Sequence, residues 1–261
     1  MDFGKSSIIA DTARALGFLT RLSIPARYFG HTPIPVSQSS RAFPLAGLVA
    51  ALPAALILLI APLSAISPLL AAVIAVALSI SVCGALHEDG LADAADGFFG
   101  GRDVQSRLDI MKDSRNGTYG TLALILSVFV RVAALSSIAS QGGLAAALAL
   151  IASSVAARTA LVWHWYELPS ARPGGAADQA GKPDSSQLNF ALKTGIPLFL
   201  FIAFLASNIG GAVLAASLIA LSSLSFLRLC REKIGGHTGD TLGASAQIAE
   251  IVVLTALAAA I

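Results

Sequence analysis

Long uncharged apolar runs recur along this chain of 261 residues. The first follows Arg41 and carries no charge through Leu86, which is enough for two spans of ~20 residues with a turn between them. Polar and apolar positions do not alternate within the runs, so they predict membrane helices rather than β-barrel strands. The predicted segments are residues 43–62, 67–86, 118–139, 143–163, 194–208, 210–227 and 244–261. The pattern therefore predicts an all-α, polytopic integral membrane bundle of about seven transmembrane helices.

The composition agrees with a membrane protein. Hydrophobic residues make up 56% of the chain and charged residues 12%, whereas soluble domains carry roughly 25% charged residues. An alanine-rich soluble bundle is the alternative, but the length of the uninterrupted apolar runs argues against it. The net charge of +2 is too small to indicate nucleic-acid binding. The two cysteines, Cys83 and Cys230, form no disulfide or zinc pattern. We expect one membrane domain covering residues 1–261.

The distribution of charge predicts a topology. Three connections, near residues 63–66, 140–142 and 208–211, carry no charge. The other connections are the N-terminal tail with Lys5 and residues 87–117, 164–193 and 228–243, and together they hold 15 of the 17 Lys and Arg residues. Seven spans place all four on one side, which the positive-inside rule makes cytoplasmic. We therefore expect a multi-pass protein of the bacterial cytoplasmic membrane with its N-terminus inside.

Two weaker patterns lie at membrane edges. Residues 7–22 are amphipathic, with Asp11, Arg14 and Arg21 opposite the apolar positions, which favours an interfacial helix over a short buried one. The fifth segment contains Pro197, so it is expected to tilt, break or start before residue 194. An aromatic belt is predicted at Trp163, Trp165 and Tyr166. Residues 164–193 otherwise predict a flexible loop, with a lid over a large substrate as the alternative.

An acidic helix carries the candidate chemistry. In the sequence from His87 to Gly97, Asp89, Asp93 and Asp96 are spaced four and three apart and share one helical face. Three close carboxylates repel one another unless a cation neutralises them, and their hard oxygen ligands suit Mg²⁺ or Mn²⁺. Glu88 adds a further oxygen off the main face. The nearby glycines allow a phosphate or a neighbouring helix to come close. A solvated acidic face at a membrane edge is the alternative.

Four cations follow the acidic helix, namely Arg102, Arg107, Lys112 and Arg115. A pyrophosphate substrate needs such groups on the oxygens that a metal leaves free. Attraction to anionic lipid headgroups explains Arg102 and Arg107 equally well. It explains the polar stretch from Lys112 to Gly120 less well, because two glycines and diverse polar residues precede a span there.

These motifs resemble those of the cobalamin synthase (adenosylcobinamide-GDP ribazoletransferase) family. The resemblance covers the acidic segment 87–97, the Ile-Met-Lys-Asp-Ser-Arg and Gly-Thr-Tyr-Gly strings of 110–120 and the Gly-Gly-His-Thr-Gly-Asp-Thr-Leu-Gly-Ala string of 235–244. Weaker similarity is found in residues 18–22 and 41–47. The acidic helix is also similar to that of the CDP-alcohol phosphotransferases, but Asp93-Ala94 replaces their Ala-Arg pair. That departure counts against a phospholipid-headgroup enzyme.

The resemblance implies a definite reaction. A ribose hydroxyl of α-ribazole, or of its 5′-phosphate, attacks adenosylcobinamide-GDP and releases GMP, which closes the nucleotide loop of adenosylcobalamin or its 5′-phosphate. One or two Mg²⁺ ions, with Mn²⁺ as the alternative, are expected on Asp89, Asp93, Asp96 and Glu88. Asp96 is the expected general base and His87 the fallback, while Lys112 and Arg115 neutralise the transferring phosphoryl group. Substrate contacts are expected from Arg102, Arg107, Asp113, Tyr119, Asp240 and Arg158. Other expected partners are membrane lipid, a second copy of the chain and docked corrinoid-pathway enzymes.

Three charged residues permit two interpretations each. Asp240 is expected to bind metal or substrate, or else to cap the last span. Arg131 lies ~20 Å along its span, which predicts either an ion pair with Glu250 or a substrate pathway. Arg158 is expected to extend towards the cytoplasmic edge of the membrane or to reach the phosphates.

Two non-enzyme classes remain as alternatives. Small transporters place charged sites near the bilayer midplane and often contain internal repeats, whereas this acidic cluster is predicted at a membrane face and the sequence shows no convincing repeat. A membrane scaffold leaves the clustered aspartates unexplained. Both alternatives are therefore disfavoured.

Overall fold

The computed structural model describes residues 7–30 and 34–261, and Lys5 lies outside them. Within these ranges the secondary structure is helical, without a β-strand. The helices are α1 (Ile8–Leu19), α2 (Val36–Ser39), α3 (Phe43–Ile60), α4 (Pro68–Cys83), α5 (Leu86–Gly100), α6 (Val104–Ile110), α7 (Thr118–Ala139), α8 (Gly143–Glu167), α9 (Ala176–Gln179), α10 (Ser185–Ala206), α11 (Ile209–Ile234) and α12 (Gly239–Ala258).

The described residues contain six helical segments that are long and apolar enough to cross a membrane. They include α3, α7, α8, α10, α11 and α12. The pair α4–α5 adds a seventh span if its two bent halves are counted together. The prediction of an all-helical polytopic bundle is therefore confirmed. The fifth predicted span starts at Ser185, before residue 194 as one of the expectations had it, and its helix continues through Pro197.

A sharp corner of 88° separates α4 from α5. Gly84 and Ala85 form it with φ values of 61° and 57°, both in the left-handed region. This conformation costs little for glycine but is rare for alanine. The Ala85 N–H donates to the carbonyl of Ile80 at 2.9 Å, which closes the end of α4. The acidic helix α5 therefore turns away from the direction of α4 instead of continuing it.

The most buried long helix is α8, which packs against α3, α10 and α12. Small residues line these contacts and let the backbones approach closely. Ser154 Oγ donates to the carbonyl of Gly47 on α3 at 2.9 Å. Gly195 on α10 faces Thr159 so closely that an added Cβ would overlap its hydroxyl oxygen. The result is a tight helical core around α8.

The N-terminal helix α1 differs from its prediction in orientation. Asp11 and Arg14 are buried, and their side chains form an ion pair of 2.6 Å. Arg14 also donates to Ser39 Oγ at 3.1 Å. Exposed apolar residues, among them Ile9 and Phe18, occupy the outer face. The prediction that Asp11 and Arg14 lie opposite the apolar positions is wrong, because tertiary hydrogen bonds bury them together with Leu16 and Leu19.

The described parts of all four charged connections meet at one end of the bundle. Arg21 N–H donates to the carbonyl of Val82 at 2.7 Å, and Ser37 N–H donates to that of Ala180 at 3.0 Å. Arg107 Nη1 donates to the carbonyl of Lys233 at 3.0 Å. The prediction that these connections share one side is therefore confirmed.

The predicted aromatic belt is wrong for Trp165. Its side chain is buried and its ring lies 6.1 Å from that of Phe43, between centroids. Trp163 and Tyr166 are partly exposed. Packing of α8 against α3 explains the burial of Trp165, because that contact covers the face of α8 on which the ring lies.

Candidate active site

Helices α5 and α12 cross at Gly90. A Cβ atom added to Gly90 would lie 2.6 Å from the carbonyl oxygen of Asp240, so any side chain there would push the helices apart. Gly243 faces the same crossing, where its added Cβ would lie 3.4 Å from the Cα atom of Gly90. The expectation that a glycine admits a neighbouring helix is confirmed at Gly90. The crossing brings the first turn of α12, with Asp240, against the acidic helix.

Asp89, Asp93 and Asp240 form what we call the acidic face. The carboxylates of Asp240, Asp89 and Asp96 lie close enough to that of Asp93 to repel it electrostatically. Asp89 repels Asp240 in the same way. Asp89 is exposed and Asp93 is half-buried. The face therefore combines two carboxylates of α5 with one from a helix far along the chain.

Thr238 caps α12, so the capping interpretation of Asp240 is wrong. Thr238 Oγ1 accepts a hydrogen bond of 3.3 Å from the Thr241 N–H, and Thr241 Oγ1 accepts one of 2.9 Å from the Thr238 N–H. This reciprocal pair satisfies the start of the helix. Asp240 lies in the first helical turn, where its Oδ2 accepts from Thr238 Oγ1 at 3.1 Å. Its carboxylate is thus left on the acidic face.

Asp96 connects α5 to the start of α7. Its Oδ2 accepts a hydrogen bond of 2.7 Å from the Gly117 N–H, and its Oδ1 accepts one of 2.9 Å from the Gly120 N–H. These are two of the N–H groups that a helix start leaves without an intrahelical partner. An added Cβ on Gly117 would lie 2.5 Å from Asp96 Oδ1. Both oxygens of this buried carboxylate therefore hold backbone donors.

His87 and Glu88 point into the protein, away from the acidic face. Glu88 Oε1 accepts from Gln247 Nε2 at 2.9 Å and lies 3.0 Å from Arg131 Nη1. Glu88 is 6% exposed and His87 is 1% exposed. The structure thus separates the sequence-predicted residues 87 and 88 from Asp89 and Asp93, because helical geometry turns them to the opposite side of α5.

Glu88 belongs to a buried ion cluster, which we define as Glu88, Glu250, Arg131 and Arg158. Arg131 Nη1 lies 3.5 Å from Glu250 Oε2, and Arg158 Nη1 forms an ion pair with Glu250 Oε1. All four side chains are buried. The predicted pairing of Arg131 with Glu250 is confirmed, whereas the expectation that Arg158 extends to the membrane edge is wrong. The cluster ties α5 to α7, α8 and α12.

In the described residues, the predicted substrate-binding cations Arg102, Arg107 and Lys112 make no direct contact with the acidic face. Arg107 donates to the carbonyl groups of Lys233, at 3.0 Å, and of Arg102, at 3.2 Å. Arg102 and Lys112 are exposed. Among the described residues, no hydrogen bond or ion pair joins any of these cations to Asp89, Asp93 or Asp240.

The side chains of Asp113, Arg115 and Tyr119 contact residues close to them and not the acidic face. Arg115 Nη2 lies 2.7 Å from Asp113 Oδ2, and its hydrogen bonds lower the pKa of Asp113 to about 2. The Arg115 side chain is 86% exposed. The ring of Tyr119 lies against that of Phe99, with 5.7 Å between their centroids. Any contact of these residues with a substrate would be made at the outer surface.

The start of the predicted flexible loop is packed against the segment that precedes α12. Ala171 N–H donates to the carbonyl of His237 at 2.9 Å, and His237 N–H donates to that of Pro169 at 2.8 Å. The next residue, Arg172, donates from Nη2 to the carbonyl of Leu108 at 2.7 Å. The positive charge of Arg172 acts on both Asp93 and Asp240. Arg172 is thus a cation near the acidic face, and the sequence alone did not predict it.

Comparison with known proteins identifies the family. The family model for cobalamin-5-phosphate synthase (CobS) matches residues 11–258, nearly the whole chain. The chain belongs to the cobalamin-5-phosphate synthase family. It is 47% identical over 256 residues to a protein of Sinorhizobium medicae (strain WSM419) named adenosylcobinamide-GDP ribazoletransferase, covering 96% of this chain and 97% of the relative. A protein of the same name from Brucella ovis is 44% identical over 261 residues, covering 98% and 99%. No solved structure matches the chain significantly.

The acidic face offers carboxylate oxygens that could bind a divalent cation. Hard carboxylate oxygens from two helices are the ligands that Mg²⁺ prefers, and Mg²⁺ keeps several waters beside one or two carboxylates. Within residues 7–30 and 34–261, no three His, Cys, Asp or Glu side chains are grouped closely enough to hold a metal ion as they stand. The chemistry of Asp89, Asp93 and Asp240 fits such an ion, and their repulsion favours a cation among them.

Arg172, which the sequence did not predict as a site residue, lacks a local signal. Arg172 lies in a polar segment without periodicity, and its position depends on the backbone pairing of Ser170 with His237. One indirect signal exists. Gly236 belongs to the motif of 235–244, and its added Cβ would lie 3.0 Å from the Ala171 backbone nitrogen, so a glycine there indicates close approach of another backbone. The sequence does not say which backbone approaches.

Proposed function

We propose that this chain transfers α-ribazole, or its 5′-phosphate, onto adenosylcobinamide-GDP with release of GMP. Membership of the family and the names of relatives that match along nearly their whole length support this reaction. The family description refers to a 5-phosphate product, which favours α-ribazole 5′-phosphate as the nucleophile. The reaction is the step that assembles the nucleotide loop of cobalamin.

The observation that carries the proposal is the crossing of α5 and α12 at Gly90. It joins Asp89 and Asp93 of one sequence motif to Asp240 of another, although the two motifs are far apart in the chain. A solvated acidic surface does not require such a glycine-dependent contact. A site for a pyrophosphate substrate needs its metal ligands fixed around one group, and this crossing holds carboxylates from two distant motifs together.

The chain's own residues act mainly by position and charge. A ribose hydroxyl oxygen forms the new bond to the cobinamide-side phosphorus, and the bond from that phosphorus to the GMP oxygen breaks. The hydroxyl proton passes to a carboxylate of the acidic face, and GMP departs with the bonding electrons. Asp89, Asp93 and Asp240 would hold Mg²⁺, or Mn²⁺ in its place. A bound ion would supply positive charge to the pyrophosphate oxygens.

Structural surroundings suggest different roles for Asp96, His87 and Glu88. We assign to Asp96 the positioning of α7, because both of its oxygens accept backbone hydrogen bonds. We assign His87 and Glu88 to the interior of the bundle, where Glu88 contacts Arg131 and Gln247. The proton acceptor is then one of the three carboxylates on the acidic face.

The acidic face is proposed to lie at the cytoplasmic side of a bacterial cytoplasmic membrane. The charged connections, which hold most Lys and Arg residues, meet at this end of the bundle, as the positive-inside rule requires of a cytoplasmic side. Substrates and any docked corrinoid-pathway enzymes would then approach from the cytoplasm. Lipid would surround the apolar outer faces of the spans.

The test is release of GMP from adenosylcobinamide-GDP by membranes that contain the chain. We expect release that requires α-ribazole 5′-phosphate and Mg²⁺ and that falls to background in Asp89→Ala. Membranes without the chain provide the blank. Folded wild-type protein that releases no GMP with both substrates and Mg²⁺ present would contradict the proposal. Release without the nucleophile would indicate hydrolysis instead of transfer.

A further inference from the structure

Arg172 stands at the end of a loop whose backbone is fixed. Residues 169–171 pair with His237 through two backbone hydrogen bonds, of 2.9 Å and 2.8 Å. An added Cβ on Gly236 would overlap the carbonyl oxygen of Pro169, so the two segments touch at a position where only glycine fits. The position of Arg172 is thus set by the same segment that leads into Asp240.

Within residues 7–30 and 34–261, the guanidinium of Arg172 donates one hydrogen bond. Nη2 donates to the carbonyl of Leu108 at 2.7 Å, at the end of α6. A guanidinium has five N–H donors in a planar fork, so further donors remain for a ligand. The side chain is half-buried, which limits the number of directions in which those donors can point.

Arg172 attracts the acidic face electrostatically without a direct ion pair. Its positive charge lies close enough to interact with the carboxylates of both Asp93 and Asp240. Among the described residues, no Arg172 nitrogen lies within 4.0 Å of a carboxylate oxygen. A structural counter-ion would make direct contact with a carboxylate, because direct contact gives the strongest pairing. The N–H donors of Arg172 that do not bond Leu108 are therefore not taken up by Asp93 or Asp240.

Resting on the proposed function, we propose that Arg172 binds phosphoryl oxygens of the pyrophosphate in the nucleotide-bearing substrate. Carboxylates with a divalent cation would hold some of those oxygens, and the Arg172 fork would hold others. Arg107 and Arg115 are less suited to this role, because Arg107 donates to two carbonyl groups and Arg115 is paired with Asp113. The substrate would thus be held between α5, α12 and the loop that carries Arg172.

The test compares three variants of the full-length protein in lipid nanodiscs. Arg172→Ala removes the side chain, while Arg172→Gln removes the charge and keeps a shorter side chain with an N–H donor. Arg231→Gln is the matched control, an exposed arginine near the same end of the bundle whose Nη2 lies 3.8 Å from Glu167. GMP release gives kcat and KM for adenosylcobinamide-GDP, and calorimetry with Mg²⁺ gives the Kd for GDP as a pyrophosphate probe.

We expect Arg172→Gln to lower kcat/KM about 100-fold, the usual loss for one electrostatic group at a developing charge. The Kd for GDP should rise about 10-fold, as expected for the loss of one hydrogen bond between charged groups. KM for α-ribazole 5′-phosphate and the values for Arg231→Gln should stay near wild type. A folded Arg172→Gln protein with wild-type kcat/KM and GDP affinity would overturn the inference. Wild-type protein that binds GDP through Arg172 but releases no GMP would instead refute the proposed reaction and keep the phosphate site.

Discussion

The Asp96 carboxylate on α5 accepts a hydrogen bond of 2.7 Å from the backbone N–H of Gly117, the residue that caps α7. A second bond, from Gly120, uses the other oxygen. One acidic side chain of the motif therefore fixes a neighbouring helix. The other acidic residues of the motif have different environments. Glu88 lies in the buried ion cluster, and Asp89 and Asp93 lie on the acidic face.

Replacing Asp96 should first affect stability. Asp96→Ala removes the acceptor of two N–H groups at the start of α7. The buried Gly120 N–H is left unpaired, which should lower the free energy of unfolding by about 1–3 kcal/mol, whereas the exposed Gly117 N–H can bond water. Asp96→Asn keeps an acceptor oxygen and should lose less. Unfolding by denaturant in mixed micelles would measure both. Equal stability of Asp96→Ala and wild type would show that these hydrogen bonds contribute little.

The buried ion cluster makes a second prediction. Glu250→Ala leaves Arg131 and Arg158 buried without a shared partner, and removal of one member of a buried pair costs about 3–5 kcal/mol. Glu232→Ala, on an exposed position of α11, should leave stability unchanged. The same unfolding measurement compares them. Glu250→Ala protein as stable as Glu232→Ala would mean that water or rearrangement compensates the two arginines.

His237 should make stability depend on pH. Burial, and then the charge of Lys182, lower the pKa of His237 to about 4, while Asp178 opposes the shift. Because the pKa in the unfolded chain is higher, near 6.5, the unfolded state binds more protons between these values. Stability should therefore fall as pH drops from about 6.5 towards 4. His237→Gln should show a shallower fall of Tm over this window, and an identical pH dependence in both proteins would contradict the assignment.

The proposed orientation can be tested with cysteines. Both native cysteines, Cys83 and Cys230, are buried, so wild-type protein should resist a membrane-impermeant maleimide. Ser64→Cys, in an exposed turn between α3 and α4, should react in intact spheroplasts. Ser114→Cys, in an exposed loop at the end of the bundle where the charged connections meet, should react only after the membrane is opened. The reverse order of labelling would place the acidic face outside the cell.

The membrane helices could be predicted well because their apolar length is a local property. The segment 118–139 coincides with α7, and 143–163 lies within α8. The predicted start of α12, residue 244, is five residues too late, since Gly239–Gly243 is not strongly apolar and is helical through the Thr238 cap. Hydropathy also gives no signal for the corner at Gly84 and Ala85, where the direction of α5 is decided.

The candidate site was less accessible to prediction because it depends on contacts between distant segments. Helical spacing grouped Asp89 and Asp93 with Asp96, yet whether a carboxylate is free depends on what packs against it. Two N–H groups at the start of α7 donate to Asp96, and no spacing rule predicts these hydrogen bonds. Trp165 and Asp11 illustrate the same limit, since tertiary packing buries two residues whose types predict exposure at a membrane edge.

The decisive measurement is the rate of GMP release by Asp240→Asn compared with Asp109→Asn. Asp109 is an exposed carboxylate on α6 that accepts a hydrogen bond from Gln105, so it serves as a matched control. If Asp240 belongs to one reaction centre with Asp89 and Asp93, its variant should lose about 100-fold or more in kcat/KM. The control should keep wild-type activity. Equal, undiminished activity in both proteins would contradict the assignment of the reaction to the acidic face.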